Sequence, residues 1–420
     1  MSENLNRSQQ VLRSFRRATG LGRPAAAPNE KRANTILALF GTRPEVIKLA
    51  PVINAIERRE FGIRSLNVAS GQHNDLLYPF INQFGIRMDY DLRIMEPNQN
   101  PNQVCSRLLE RLDPILDVER PDMILVQGDT TTAMAGALAG FHRRIPVAHV
   151  EAGLRSGNPE SPYPEEVNRQ LISRLATHHF AATVRNRETL ISEGVRPETI
   201  FVTGNPIVDS LTKMIDGLTP SPDLAELLDS TAGLKRLVLT THRRESFGSV
   251  MTDNLAVLRK FVEMHRDVVL LFPVHPNPAV RGPATEILSG RPRIHLLQPL
   301  HYQQFVLLLS HAWLIVSDSG GIQEEAPSLG KPLLVLRENT ERPEAIEAGV
   351  ARLVGGSPSR LAEMLEHALD DQHWIQKVER VDNPFGVGDS GERIANIINA
   401  ALSNKERREN LLDNPQSEGV

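Results

Sequence analysis

The chain has 420 residues, 40% of them hydrophobic, and 47 Lys and Arg against 51 Asp and Glu leave a net charge of −4. That length exceeds the roughly 250–300 residues that one core fills, so two domains are expected, and the balanced charge excludes a dedicated, strongly basic nucleic-acid binder. A single cysteine, Cys105, excludes an intramolecular disulfide and a multi-cysteine metal site, and no apolar run approaches a membrane span, which points to a soluble protein of a cytoplasmic, reducing compartment.

Residues 1–33 carry Arg7, Arg13, Arg16, Arg17, Arg23, Lys31 and Arg32 against only Glu3 and Glu30, and read as a flexible, solvated basic tail. They lack the apolar stretch of a secretory signal. The string Gly20 to Ala25 has the spacing of a dinucleotide fingerprint, but no strand precedes it and Pro24 stands where a helix should open. No nicotinamide cofactor is expected there.

From Thr35 onward, short apolar runs alternate with amphipathic stretches. The runs are Ile36–Phe40, Leu66–Ala69, Met123–Val126, Val147–Val150, His179–Ala182, Leu237–Leu239, Val268–Phe272, Ile294–Leu297, Leu314–Val316 and Leu333–Leu336. Most lack polar alternation, which predicts strands buried on both faces of parallel sheets. Helices are expected at Val46–Arg59, Thr131–His142, Arg169–Thr177 and Ile322–Leu329. The class is therefore α/β, with a first domain over 34–205 and a second over 206–383. The join holds a helix at Leu211–Leu218 followed by the breaker Thr219-Pro220-Ser221-Pro222. After Asn383-Pro384 a last helix is expected at Ser390–Leu402, within a segment 384–402, and 403–420 reads as a polar tail.

In open parallel sheets ligands bind beyond the carboxyl ends of the strands, so polar residues there come first. Gly41-Thr42-Arg43-Pro44-Glu45 follows the first run, and Arg43 with Lys48 suits either an anion site or a capped helix with solvated charges. Asp129 follows the third run, as an acid or as a helix cap. Glu151 emerges at the end of the fourth, and Glu165 opens a later helix, where acids are also common for dipole reasons. Three carboxylates from three turns of one sheet edge would raise one another's pKa values, as general acid/base work requires. In the second half, Thr241-His242-Arg243 is dense in donors. Ser319-Gly320-Gly321 opens a helix with its backbone N–H groups, and Glu325 one turn in suits a ribose. No metal site is legible: His178 and His179 are adjacent rather than one turn apart.

Six strings occur in order: GTRPEVIKLAPV from Gly41, QGDTTTAMAGALAG from Gln127, HVEAGLRSG from His149, SPYPEEVNRQ from Ser161, THRRESFG from Thr241, and SDSGGIQEEAPSLGKP from Ser317 leading to Arg342-Pro343-Glu344. Together they resemble the non-hydrolysing UDP-N-acetylglucosamine 2-epimerases of bacteria, from about residue 34 to about 402. The resemblance implies two Rossmann-like domains facing a cleft, the glycosyltransferase B arrangement, with the last helix packed on the first domain. It implies a homodimer and a UDP-sugar substrate. The implied reaction inverts carbon 2 of UDP-N-acetylglucosamine without NAD, and supplies UDP-N-acetylmannosamine for surface polysaccharide. Carried over by motif, Asp129, Glu151 and Glu165 match the family's catalytic acids and His242 the group that stabilises departing UDP. Arg43, Lys48, Ser319, Gly320, Gly321, Glu325 and Arg342 match substrate-binding positions. An activator site for a second substrate molecule matches at Gln72 and His73, while Asp75, Asn98 and Asn100 depart from that pattern.

Overall fold

A computed structural model of the chain describes residues 33–58, 61–72, 74–96, 98–215, 217–243 and 247–413. The basic tail, His73 and Arg244 to Ser246 of the THRRESFG string lie outside them. Two compact units result: residues up to Ser210 together with those from Gly388 onward, and Leu211–Val387.

The first unit is built on β1 (Thr35–Phe40), β2 (Arg64–Ala69), β3 (Tyr90–Asp91), β4 (Met123–Gln127), β5 (Val147–Ala152), β6 (His178–Ala181) and β7 (Ile200–Val202). They pair in parallel in the order β3-β2-β1-β4-β5-β6-β7. β1, β4 and β5 are buried along their whole length, as strands covered by helices on both faces must be. The helix Thr131–His142 lies close over them because it is walled by small residues. A Cβ on Gly136 would stand 2.5 Å from Leu39 Cδ2, and one on Gly140 2.5 Å from Val147 Cγ2.

The second unit holds β8 (Lys235–Thr240), β9 (Val268–Pro273), β10 (Ile294–Leu297), β11 (Leu314–Ser317), β12 (Leu333–Val335) and β13 (Ala351–Leu353). Its parallel order is β10-β9-β8-β11-β12-β13. Both sheets thus follow the doubly wound, Rossmann-like order, whose direction reverses between β1 and β4 in the first unit and between β8 and β11 in the second.

Every strand expected from an apolar run forms. β3, β7 and β13 were not expected: each is an edge strand of two or three residues. Several helices begin earlier than their apolar residues indicate. Arg43–Arg58 starts before Val46 because Pro44 fits a first turn, and Glu165–Leu175 starts on two acids. Gly320–Ser328 likewise opens ahead of Ile322. Pro206–Ile215 begins five residues before Leu211, again on a proline. The Pro222 breaker is itself a helix start, for Ser221 caps Pro222–Ser230 by accepting from Leu224 N at 3.4 Å. Among the helices with no forecast are Pro101–Glu119, Ser249–Met264 and Pro358–Asp370. The last helix continues beyond Leu402, through residues read as a tail, to Asp413. Lys405, Glu406, Arg407 and Arg408 of that stretch are good helix formers, which a reading by apolar periodicity misses. Among the described residues no helix is long and apolar enough to cross a membrane.

Candidate active site

In the first unit, the turns after β1, β4 and β5 carry the polar groups. The Gly41-Thr42 turn is fixed by Glu45, a buried carboxylate three residues into the helix it precedes. Glu45 Oε2 accepts from Gly41 N at 2.9 Å, Thr42 N at 2.6 Å and Thr42 Oγ1 at 2.8 Å. Its Oε1 accepts from Thr130 Oγ1 at 2.6 Å, so one carboxylate joins the turns after β1 and β4. Burial raises its pKa, against the lowering effect of those donors.

Thr130, not Asp129, is the cap of Thr131–His142: its hydroxyl accepts from Ala133 N at 3.0 Å. Asp129 is left to face the helix Glu165–Leu175. Its Oδ2 meets Arg169 Nε at 2.9 Å and Nη2 at 2.6 Å, and its carbonyl accepts from Asn168 Nδ2 at 2.9 Å. Glu165, half-buried, is the first residue of that helix. The adjacent Glu166 is fully buried and structural, bound to Ser156 N and Arg169.

Glu151 sits where the pairing of β5 with β6 slips between Val150 and Ala152. Its φ of 66° is unusual for a residue with a Cβ, and the irregularity re-aims its side chain. Lys48 Nζ lies 2.6 Å from Glu151 Oε1, both side chains nearly buried. Gln127 Nε2 donates to Glu151 Oε2, and Asn205 Nδ2 reaches Oε1 at 3.4 Å. The carboxylates therefore do not simply crowd one another: Asp129 faces a guanidinium and Glu151 an ammonium. Such a carboxylate is a positioned acceptor for a proton, with a cation beside it to balance charge.

Arg43 is exposed, with its guanidinium 5.7 Å from the centre of the Phe80 ring. Gln72 Oε1 accepts from Thr132 Oγ1 at 2.9 Å, in the same group of turns.

In the second unit the turns after β8 and β11 are joined by buried Asp318. It accepts from Thr241 Oγ1 at 2.6 Å and from the backbone N–H groups of His242 and Arg243 at 3.1 Å each. The exposed His242 ring has Nδ1 3.5 Å from Asp318 Oδ1 and stacks on His275 at 5.8 Å. Ser319, whose N–H donates to Ser317 Oγ at 2.9 Å, precedes the helix that begins at Gly320-Gly321. Arg342 lies against this turn. Its Nη1 would be 2.7 Å from a Cβ on Gly320, so only glycine lets the guanidinium approach. Arg342 Nε meets Glu324 Oε1 at 2.6 Å, and Nη1 stands 3.5 Å from Glu341. Glu325 Oε1 accepts from Tyr302 at 2.8 Å.

Each described residue expected from the motifs thus lies at a strand end or in the first turns of the helix that follows. The partners that hold them, Glu45, Gln127, Arg169, Asn205, Tyr302 and Asp318, had no forecast. Glu45 alone left a local sign, since an acid three residues after Thr42 is a capping pattern. Among the described residues no group of three or more His, Cys, Asp or Glu could hold a metal ion.

A family model described as UDP-N-acetylglucosamine 2-epimerase matches residues 54–399. The UDP-N-acetylglucosamine 2-epimerase of Escherichia coli K12 is 44% identical over 368 residues, covering 86% of this chain and 98% of the relative. Among solved structures, the Staphylococcus aureus MnaA–UDP co-structure has a TM-score of 0.83 at 39% identity, covering 88% of this chain and 97% of that one. The Neisseria meningitidis UDP-GlcNAc 2-epimerase bound to UDP-GlcNAc has a TM-score of 0.81 at 38% identity, with 87% and 99% covered.

Proposed function

The chain belongs to the UDP-N-acetylglucosamine 2-epimerase family, and from that premise we propose how its residues carry out the reaction. It epimerises UDP-N-acetylglucosamine to UDP-N-acetylmannosamine. The observation that carries the residue assignment is the Lys48–Glu151 pair at the end of β5, beside the Asp129–Arg169 pair at the end of the adjoining β4.

A carboxylate of the first unit takes the proton from carbon 2. The electron pair forms the double bond between carbons 1 and 2, and the bond from carbon 1 to the diphosphate oxygen breaks. UDP leaves with that bond's electrons. A proton delivered to the opposite face of carbon 2, with return of the diphosphate oxygen to carbon 1, completes the inversion. Asp129, Glu151 and Glu165 are the acids for these transfers. His242 donates to the departing diphosphate, where a fixed donor meets charge that develops in the transition state. The first-turn N–H groups at Gly320 and Gly321, with the Ser319 hydroxyl, suit a phosphate, and Glu325 suits the ribose hydroxyls. Arg43, Lys48 and Arg342 add the cations, Lys48 and Arg342 from within ion pairs that hold their geometry. Gln72 belongs with these turns, and with His73 is assigned to a second nucleotide-sugar molecule. The reaction uses no nicotinamide, acts in the cytoplasm to supply surface polysaccharide, and is carried out by a homodimer, for which light scattering should give twice 46.6 kDa.

The deciding experiment is proton NMR of the purified protein with UDP-N-acetylglucosamine alone in deuterated water. UDP-N-acetylmannosamine carrying deuterium at carbon 2 is the expected product. Free sugar with UDP would mark a hydrolysing enzyme instead, and no turnover without an acceptor would mark a glycosyltransferase.

A further inference from the structure

We propose that Asp318 is a positioning residue for the reaction, acting through His242; this rests on the leaving-group role given to His242 above. Asp318 is fully buried at the end of β11, and it engages the turn after β8 at consecutive residues: the Thr241 hydroxyl, the His242 N–H and the Arg243 N–H. These bonds fix the backbone from which the His242 imidazole projects. The same carboxylate stands 3.5 Å from His242 Nδ1, while the ring itself is exposed. A carboxylate this near Nδ1 favours a proton on that nitrogen and stabilises the imidazolium over the neutral ring. That is the form needed to donate toward a diphosphate gaining negative charge.

Among the described residues, other charged and titratable groups belong to the same group of turns. His275 of the turn after β9 stacks on the His242 ring, and a second positive charge there is disfavoured at 5.8 Å. Arg243 is the next residue, and its Nη2 and Arg342 Nη1 both lie beside Gly320. Among the described residues, His275 and Arg243 oppose protonation of His242, and the Asp318 carboxylate favours it. A purely architectural carboxylate would need only the backbone and threonine donors. The approach to Nδ1 is what a positioning role adds.

The test is a double-mutant cycle with Asp318→Asn and His242→Asn, read by kcat, KM and the pH profile. Asp318→Asn should lower kcat roughly tenfold to a hundredfold with a smaller change in KM. It should also move the basic limb of the kcat profile to lower pH, as the imidazolium loses its counter-charge. In the His242→Asn background the same substitution should cost little, because the group it acts through is gone. Additive losses, or an unmoved pH limb, would overturn the inference and leave Asp318 a structural residue. If instead His242→Asn turns over at the wild-type rate, the role of His242 itself fails. Nitrogen NMR of histidine-labelled wild-type protein with UDP gives a reading even if Asp318→Asn does not fold. It should show Nδ1 protonated, and an unprotonated Nδ1 would refute the proposal.

Discussion

Asp129 meets Arg169 through two nitrogens, at 2.9 and 2.6 Å, and the guanidinium also holds Glu166 at 3.0 Å. A planar fork sets the direction of the Asp129 carboxylate as well as its charge. Asp129→Asn keeps the shape and removes the proton acceptor, so turnover should fall at least about a hundredfold. UDP affinity, measured by calorimetry, should change little; near-normal turnover would remove Asp129 from the acid/base set. The sequence marks Asp129 as an acid at a strand end but does not choose between cap and chemistry, because Thr130 beside it has the same capping capacity. The structure gives the cap to Thr130 and sets Arg169, from the helix laid over the turn, against Asp129. The Lys48–Glu151 pair was hidden for a similar reason: its partners are far apart in sequence and meet only because β4 lies between β1 and β5. Asp318 follows a strand and precedes Ser-Gly-Gly, so locally it reads as one more helix-start acid.

At the level of elements, what the sequence revealed follows burial. Runs such as Met123–Val126 announce a strand because both faces are covered, whereas Ile200–Val202 is an edge strand whose burial declines along its length. Helix starts were misplaced where polar or proline first turns precede the apolar residues, since periodicity reports a face and not a cap. Two strand residues ran against type: His149 and His179 are almost fully buried, side by side across β5 and β6. Burial, the largest cause, lowers His149 to about 4 and His179 to about 3. The unfolded chain takes up these protons near pH 6.5, so below that pH the unfolded state gains protons that the fold refuses. Stability should therefore be constant above about pH 7 and decline from pH 6.5 toward 4, by an amount on the order of a few kcal/mol. Urea unfolding of wild type and His179→Phe across that range is the check. The variant should show a shallower decline, and parallel curves would assign the loss to other groups.

Across the whole molecule, the chain leaves the first unit after Ser210 and returns to it at Gly388, and both passages are tied within that unit. Asp209 accepts from Ser390 N at 3.2 Å and Gly391 N at 2.8 Å, so a carboxylate 181 residues away in sequence satisfies N–H groups at the start of the last helix. Ser210 Oγ donates to Ile47 O at 2.5 Å, on the helix Arg43–Arg58. The last helix lies on that same helix so closely that a Cβ on Gly391 would stand 2.7 Å from Pro51 C and O. Those are backbone atoms, which cannot turn aside as a side chain can. Lys48 is one turn away on the helix that would have to move, and its ammonium sits 2.6 Å from Glu151. Gly391→Ala should therefore act on catalysis at a distance: the helix shifts, the Lys48–Glu151 pair lengthens, and turnover falls roughly tenfold in a chain that still folds. Asp209→Asn is the control, since it weakens the cap without adding an atom at the crossing, and it should lower the melting temperature while turnover holds. If Gly391→Ala also melts earlier yet turns over at the wild-type rate, the last helix contributes stability alone and the site does not feel it.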